Sequence, residues 1–235
     1  MGKIRTADVS AQGEPRAGLL DIAIEFVGPW SETLQAAFFA AEARIESVVL
    51  GDLPDVVLPS WAGPLLAVDD LVIRAELATM DGVGGVLGSA FPTLVRSDSL
   101  LPISASMRFD ADDAAWLQAG GVWDEVVLHE MLHCLGFGIL WGAKGLLTPD
   151  GSGFIGPAAM AEYAAMGGIG PVPLETAGGS GTAGLHWSEA VFGPELMTGW
   201  IGDGGAFSPL TFASLADLGY GLAPRETWVA DAAYA

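Results

Sequence analysis

The sequence predicts an α+β fold in two lobes, and three observations predict it. Apolar residues alternate with polar ones in short runs before residue 110, the pattern of half-buried strands. Two longer stretches in the same half repeat at three and four residues, as amphipathic or buried helices do. From residue 139 to 209 the chain turns rich in Gly and Pro, as a loop-built second lobe would be.

Residues 1–18 are polar and aperiodic and read as a flexible lead-in. In "LDIAIEF", Leu20, Ile22, Ile24 and Phe26 alternate with Asp21, Ala23 and Glu25, which predicts a strand. Ser31 is a plausible N-cap for a helix whose apolar positions Leu34, Phe38, Ala41, Ile45 and Val48 run to Gly51. Strands follow at Leu71 to Leu77 and Ile103 to Phe109, and between them "DGVGGVLGSAFPTLVRSDS" suits loops and an irregular edge strand. An unpaired edge beside a cleft can hold an extended peptide as an added strand. Beyond the second long helix come a short helical piece, "PAAMAEYAAMGG", and a turn-rich "ETAGGSGTAG". A last helix is marked by Ser208 as N-cap, Pro209 at its first position, Leu210, Leu215 and Leu218, and Gly219 as its stop. One domain is expected over 19–235, divided into lobes at about 138/139.

The chain has 9 Lys and Arg against 29 Asp and Glu, a formal charge of −20 that repels nucleic acid and anionic membranes. No run approaches the roughly 20 apolar residues that span a bilayer, so no membrane span is expected. A single cysteine, Cys134, excludes an intrachain disulfide and reads as a small core residue. Turns such as "DGSG" and "GDGG" could take calcium, but Asp-Gly pairs are far more often plain turns.

Within "WDEVVLHEMLHCLGFGILW", His129, Glu130 and His133 stand in the order His-Glu-x-x-His. On a helix, positions i and i+4 share a face, so both imidazoles can aim at one metal ion while Glu130 reaches a water beside it. The bland alternative is a pair of core histidines satisfied by backbone carbonyls. Catalytic zinc takes three protein ligands and leaves its fourth position to water. The third ligand is then His186, the one histidine left in the chain, or a carboxylate. Gly136 can end the helix in a left-handed conformation and turn the chain toward the second lobe.

His-Glu-x-x-His-x-x-Gly-Phe at 129–137, then His186-Trp187 and "ELMTG" at 195–199, resembles the leishmanolysin family of metzincin metallopeptidases. "FIGPAAMAEYAAMGG", "VPLE", "GTAGLHW" and "LADLGYGL" extend the resemblance from about residue 103 to 222. Most metzincins carry the third histidine six residues after the second, where this chain has Ile139, so the resemblance points to the leishmanolysin subgroup with its insertion. It implies a metzincin-like fold, with a twisted mixed sheet and two long helices in the N-terminal lobe and an active-site cleft against the C-terminal one.

The resemblance implies His129, His133 and His186 as ligands of one catalytic zinc, Glu130 as general base and Met197 as the Met-turn residue. Gly199 stands where some metzincins carry a tyrosine, which leaves Tyr163 and Tyr220 as unsupported candidates for a second electrophile. The expected activity is zinc-dependent endopeptidase action on protein or peptide substrates by a monomer, with side-chain preference set by the segment after Met197. The rival is a silent zinc-stabilised binding or adhesion module of the same fold. Localisation stays open: the family direction is export, while "MGKIRTADVS" lacks the apolar core of a signal peptide.

Overall fold

The computed structural model describes residues 19–58, 66–200 and 205–228. The expected lead-in at 1–18 lies outside them. The first half carries β1 (Ile22–Val27), α1 (Glu32–Glu46), β2 (Val49–Leu50), β3 (Val56–Leu58), β4 (Leu66–Val68), β5 (Leu71–Ala78), β6 (Gly88–Val95), β7 (Pro102–Asp110), α2 (Ala111–Gly120) and α3 (Trp123–Cys134). The second half carries β8 (Gly153–Phe154), α4 (Pro157–Ala165), β9 (Val172–Pro173), α5 (Glu189–Phe192), α6 (Pro209–Leu218) and β10 (Gly221–Leu222).

The main sheet is mixed, with strand order β1-β5-β7-β6. β1, β5 and β7 are parallel, and β6 runs antiparallel to β7 at the edge, with irregular pairing around Pro92 and Leu94. The period-two pattern holds: Ile22 and Ile24, then Leu71, Ile73, Ala75 and Leu77, then Ala105, Met107 and Phe109 are all buried. α1 and α3 pack on one another over this sheet. Phe38, Phe109 and Trp123 meet edge to face, Phe109 and Trp123 with ring centroids 5.0 Å apart. Such pairs add about 1 kcal/mol each to roughly 2–3 kcal/mol per buried ring.

Two elements differ from the sequence expectation. α1 stops at Glu46 rather than running to Gly51, because Val49 and Leu50 are drawn into pairing with β10 near the other end of the chain. α2 follows β7 directly; Asp110 caps it by accepting the Asp112 N–H, and left-handed Gly121 ends it. The last helix agrees with expectation: the Ser208 side chain accepts the Thr211 N–H, Pro209 opens the helix, and Gly219 closes it at φ 103°.

Short strands and turns of the second half wrap an aromatic cluster of Phe137, Trp141, Phe154 and Trp187, all fully buried, with the two indoles stacked 5.0 Å apart. α4 lies against α6, and the Asp217 carboxylate of α6 accepts the Ala158 and Ala159 N–H groups at the start of α4. Among the described residues, no helix is long and apolar enough to cross a membrane.

Candidate metal centre and cleft

α3 is apolar on most of its circumference: Val126, Val127, Met131, Leu132 and Cys134 are at most 1% exposed. This pins the helix between the sheet and the second half and leaves one strip, with His129, Glu130 and His133, facing a cleft. The helix ends in a paired turn. The Gly136 N–H donates to the His133 carbonyl and the Phe137 N–H to the Leu132 carbonyl, with Gly136 at φ 100°. That turn sets the Phe137 carbonyl beside His133, whose Nδ1 lies 3.0 Å from it.

His186 arrives on a loop held from both sides. Its carbonyl accepts the Glu175 N–H, and the next residue, Trp187, donates its N–H to the Met197 carbonyl at 2.9 Å. The Nε2 atoms of His129, His133 and His186 form a triangle with sides of 3.0, 3.0 and 3.1 Å. Each ring's other nitrogen meets a backbone carbonyl: His129 Nδ1 that of Leu196 at 2.8 Å, His133 Nδ1 that of Phe137, and His186 Nδ1 that of Thr182 at 3.1 Å. A carbonyl only accepts, so each Nδ1 carries the proton and donates it.

That fixes the tautomer and leaves three bare lone pairs converging on one point. Three neutral acceptors cannot satisfy one another, but a cation satisfies all three. A tetrahedral ion with bonds of about 2.0–2.1 Å holds its nitrogens roughly 3.3 Å apart, close to this triangle. The donor set therefore fits a borderline-soft dication such as zinc. The backbone carbonyls expected as partners of core histidines are present, one at each Nδ1, and they leave the three Nε2 atoms facing one another.

Burial, reinforced by the neighbouring imidazoles, pushes His129 down to about 3 and His133 well below its ordinary value, and burial also lowers His186. All three stay neutral and able to coordinate at physiological pH. Glu130 is 8% exposed, and burial raises its carboxyl to about 8 in the absence of a neighbouring cation.

The cleft, about 370 Å³, runs between Gly85–Ala90 at the sheet edge and Thr182, Leu185, Thr198, Gly199 and Trp200 opposite, with the three histidines and Glu130 between. Met197 is fully buried behind it. Tyr163 and Tyr220 do not line it. Tyr163 packs its ring on Phe192, and Tyr220 donates its hydroxyl to the Leu135 carbonyl at 3.0 Å. Cys134 is buried against β7, near the Ser106 carbonyl.

The leishmanolysin family model matches residues 162–224. This chain is similar to the leishmanolysin metallopeptidases. The match takes in His186 and Met197 and begins after α3, so the His-Glu-x-x-His helix and the matched region meet only in three dimensions, at the histidine triangle. No curated protein matches the chain.

Some site-building residues escaped the sequence reading. Asp110 Oδ2 accepts the N–H groups of Met80, Asp81 and Gly82, and Asp113 Oδ1 accepts that of Gly84. These two carboxylates anchor the loop that leads into the β6 wall of the cleft. The signal that could have found them is "FDADD" at 109–113, an Asp cap followed three residues later by a second acid. The Asp150 turn, a calcium candidate, spends its carboxylate on Thr148 and Ser152 of its own loop. The "GDGG" turn falls partly outside the described residues.

Proposed function

We propose that this protein is a zinc-dependent endopeptidase in which His129, His133 and His186 hold the metal and Glu130 is the general base. The observation that carries the reading is the set of three convergent Nε2 lone pairs, each aimed by a backbone carbonyl, beside a buried glutamate on an open cleft. When bound there, zinc supplies Lewis-acid polarisation of the scissile carbonyl and a water acidified to near neutrality.

The chain's own groups do the rest. Among the described residues no strand pairs with the outer edge of β6, and its backbone along Gly88 to Ala90 lines the cleft, which suits an extended peptide added as a further strand. Glu130 takes the proton of the attacking water and returns it to the leaving amine. Trp200, Leu185 and Ile139 on the far wall, with Thr198 and Gly199, form the surface against which a substrate side chain would lie. Among the described residues no second electrophile stands in the cleft where some metzincins carry a tyrosine, because that position is Gly199.

The silent binding module is the weaker reading, since a structural zinc site closes its fourth position whereas these histidines face an open cleft. The test is casein hydrolysis together with metal content. Glu130→Gln should keep stoichiometric zinc and lose hydrolysis by at least about a thousandfold, whereas His186→Ala should lose the zinc. Cleavage by Glu130→Gln at the parent rate would reject the base assignment, and stoichiometric zinc in His186→Ala would reject the third ligand.

A further inference from the structure

Glu195 is a 1% exposed carboxylate that does not line the cleft, although it shares a small adjoining pocket with His129, and its polar partners all donate to it. Its Oε1 accepts the hydroxyls of Ser208 at 2.6 Å and Thr211 at 2.5 Å, and its Oε2 accepts the Met197 N–H at 2.5 Å. These bonds reach two other parts of the centre. Thr211 Oγ1 also accepts the indole N–H of Trp187 at 2.8 Å, directly after His186. The carbonyl between Glu195 and Met197, that of Leu196, is the acceptor that aims His129.

We infer that Glu195 is a positioning residue for the metal centre, a single buried carboxylate that fixes both the His129 acceptor and the His186 loop against the start of α6. The inference rests on the metal reading above. Two of the three histidines depend on it, whereas His133 takes its acceptor from the turn that ends its own helix. Only a carboxylate suits the place. Four donors converge, the hydroxyls of Ser208 and Thr211 and the N–H groups of Met197 and Ser208, and a glutamine would turn its own N–H₂ against those at one end. Burial pulls the acid upward and the four donors pull it down, and burial prevails, leaving it raised to about 7.

A carboxylate on α6 itself supplies the control. Asp217 is half-buried and accepts two backbone N–H groups, those of Ala158 and Ala159 in α4, a helix that carries none of the three histidines. The experiment loads the full chain with Co²⁺ and reads affinity by chelator competition and geometry by the visible d–d spectrum. Glu195→Gln should weaken Co²⁺ binding about 10–100-fold and alter the spectrum, and Asp217→Asn should stay within twofold with the parent spectrum.

Should Glu195→Gln fail to fold, Thr211→Val, which cuts only the link from Trp187 to the carboxylate, is expected to weaken Co²⁺ binding several-fold. The inference is overturned if the folded variant, Glu195→Gln or in its place Thr211→Val, binds Co²⁺ with the parent's affinity and spectrum, or if Asp217→Asn weakens it equally. A parent that binds no Co²⁺, or a His186→Ala chain that binds it as tightly as the parent, would instead sink the metal reading and this inference with it.

Discussion

Gly138 lies against the backbone of Leu185 so closely that a β-carbon on it would stand 2.3 Å from the Leu185 carbonyl oxygen. It also holds φ 70°, a left-handed conformation that side chains other than glycine adopt only at a cost. The residue that precedes His186 is thus seated on the turn that follows His133. Gly138→Ala must move backbone, not a flexible side chain, and should cost about 3 kcal/mol or more. Denaturant unfolding measures that loss, and metal content should fall with it because the displaced segment carries His186. A Gly138→Ala protein with parent stability and full metal would show that this contact does not set the site.

Gly88 faces Glu130 across the cleft wall. A β-carbon there would lie 3.1 Å from both Cγ and Oε1 of the glutamate, tighter than ordinary contact by a few tenths of an ångström. Unlike Gly138, it has no left-handed backbone, so Gly88→Ala tests the space alone. The expected result is turnover lower by about tenfold, from displacement of the base, with zinc content and unfolding midpoint close to the parent. Steady-state kinetics beside metal analysis distinguishes this from loss of the centre.

The periodic elements were legible because each has a single buried face. Ile22, Ile73 and Met107 alternate, and Phe38 and Ile45 recur along α1, so pattern alone placed three strands and two helices. Capping chemistry was equally legible at Ser208 and Gly219. The end of α1 was not, since Val48 continues the helical period while the pull on Val49 and Leu50 comes from β10, some 170 residues away. At the site, residue types and spacing pointed to His129, Glu130 and His133, the family resemblance added His186, and the structure brings these together. The aiming carbonyls of Leu196, Phe137 and Thr182 could not be read, because a backbone acceptor has no residue identity. Gly136 was legible as a helix stop, but the closer constraint, Gly138 on Leu185, joins segments whose contact only the fold creates.

Tyr220 gives a prediction that separates a structural hydroxyl from a catalytic one. Its hydroxyl donates to the Leu135 carbonyl at the end of α3, and burial pushes its pKa far up, so it stays a proton donor throughout the working range. Tyr220→Phe leaves that buried carbonyl without this donor and should lower stability by about 1–2 kcal/mol. Turnover per folded molecule should remain within about twofold, because the hydroxyl lies outside the cleft. A large fall in kcat at unchanged stability would restore Tyr220 as a candidate electrophile.

Asp70 gives the pH dependence. Its carboxyl is inaccessible and accepts the Asp21 N–H at 2.6 Å and the Leu53 N–H at 2.5 Å, and the adjacent Arg96 donates to the backbone carbonyls of Pro54, Pro102 and Asp70. Burial, with smaller contributions from Asp69 and Asp52, outweighs those two hydrogen bonds and raises the acid from 3.8 to about 6. The folded chain therefore binds this proton more tightly than the unfolded one. Between pH about 4 and 6 unfolding releases it, so the contribution is fully present below the lower value and is lost as pH rises through the upper one. Allowing for solvent screening, the change is on the order of 1–2 kcal/mol. Asp70→Asn cannot titrate, so the stability of the parent relative to this variant should grow by that amount as pH falls from 7 to 4. Urea unfolding at a series of pH values measures it, and a parent-to-variant difference that does not vary with pH would show that Asp70 ionises normally in the fold.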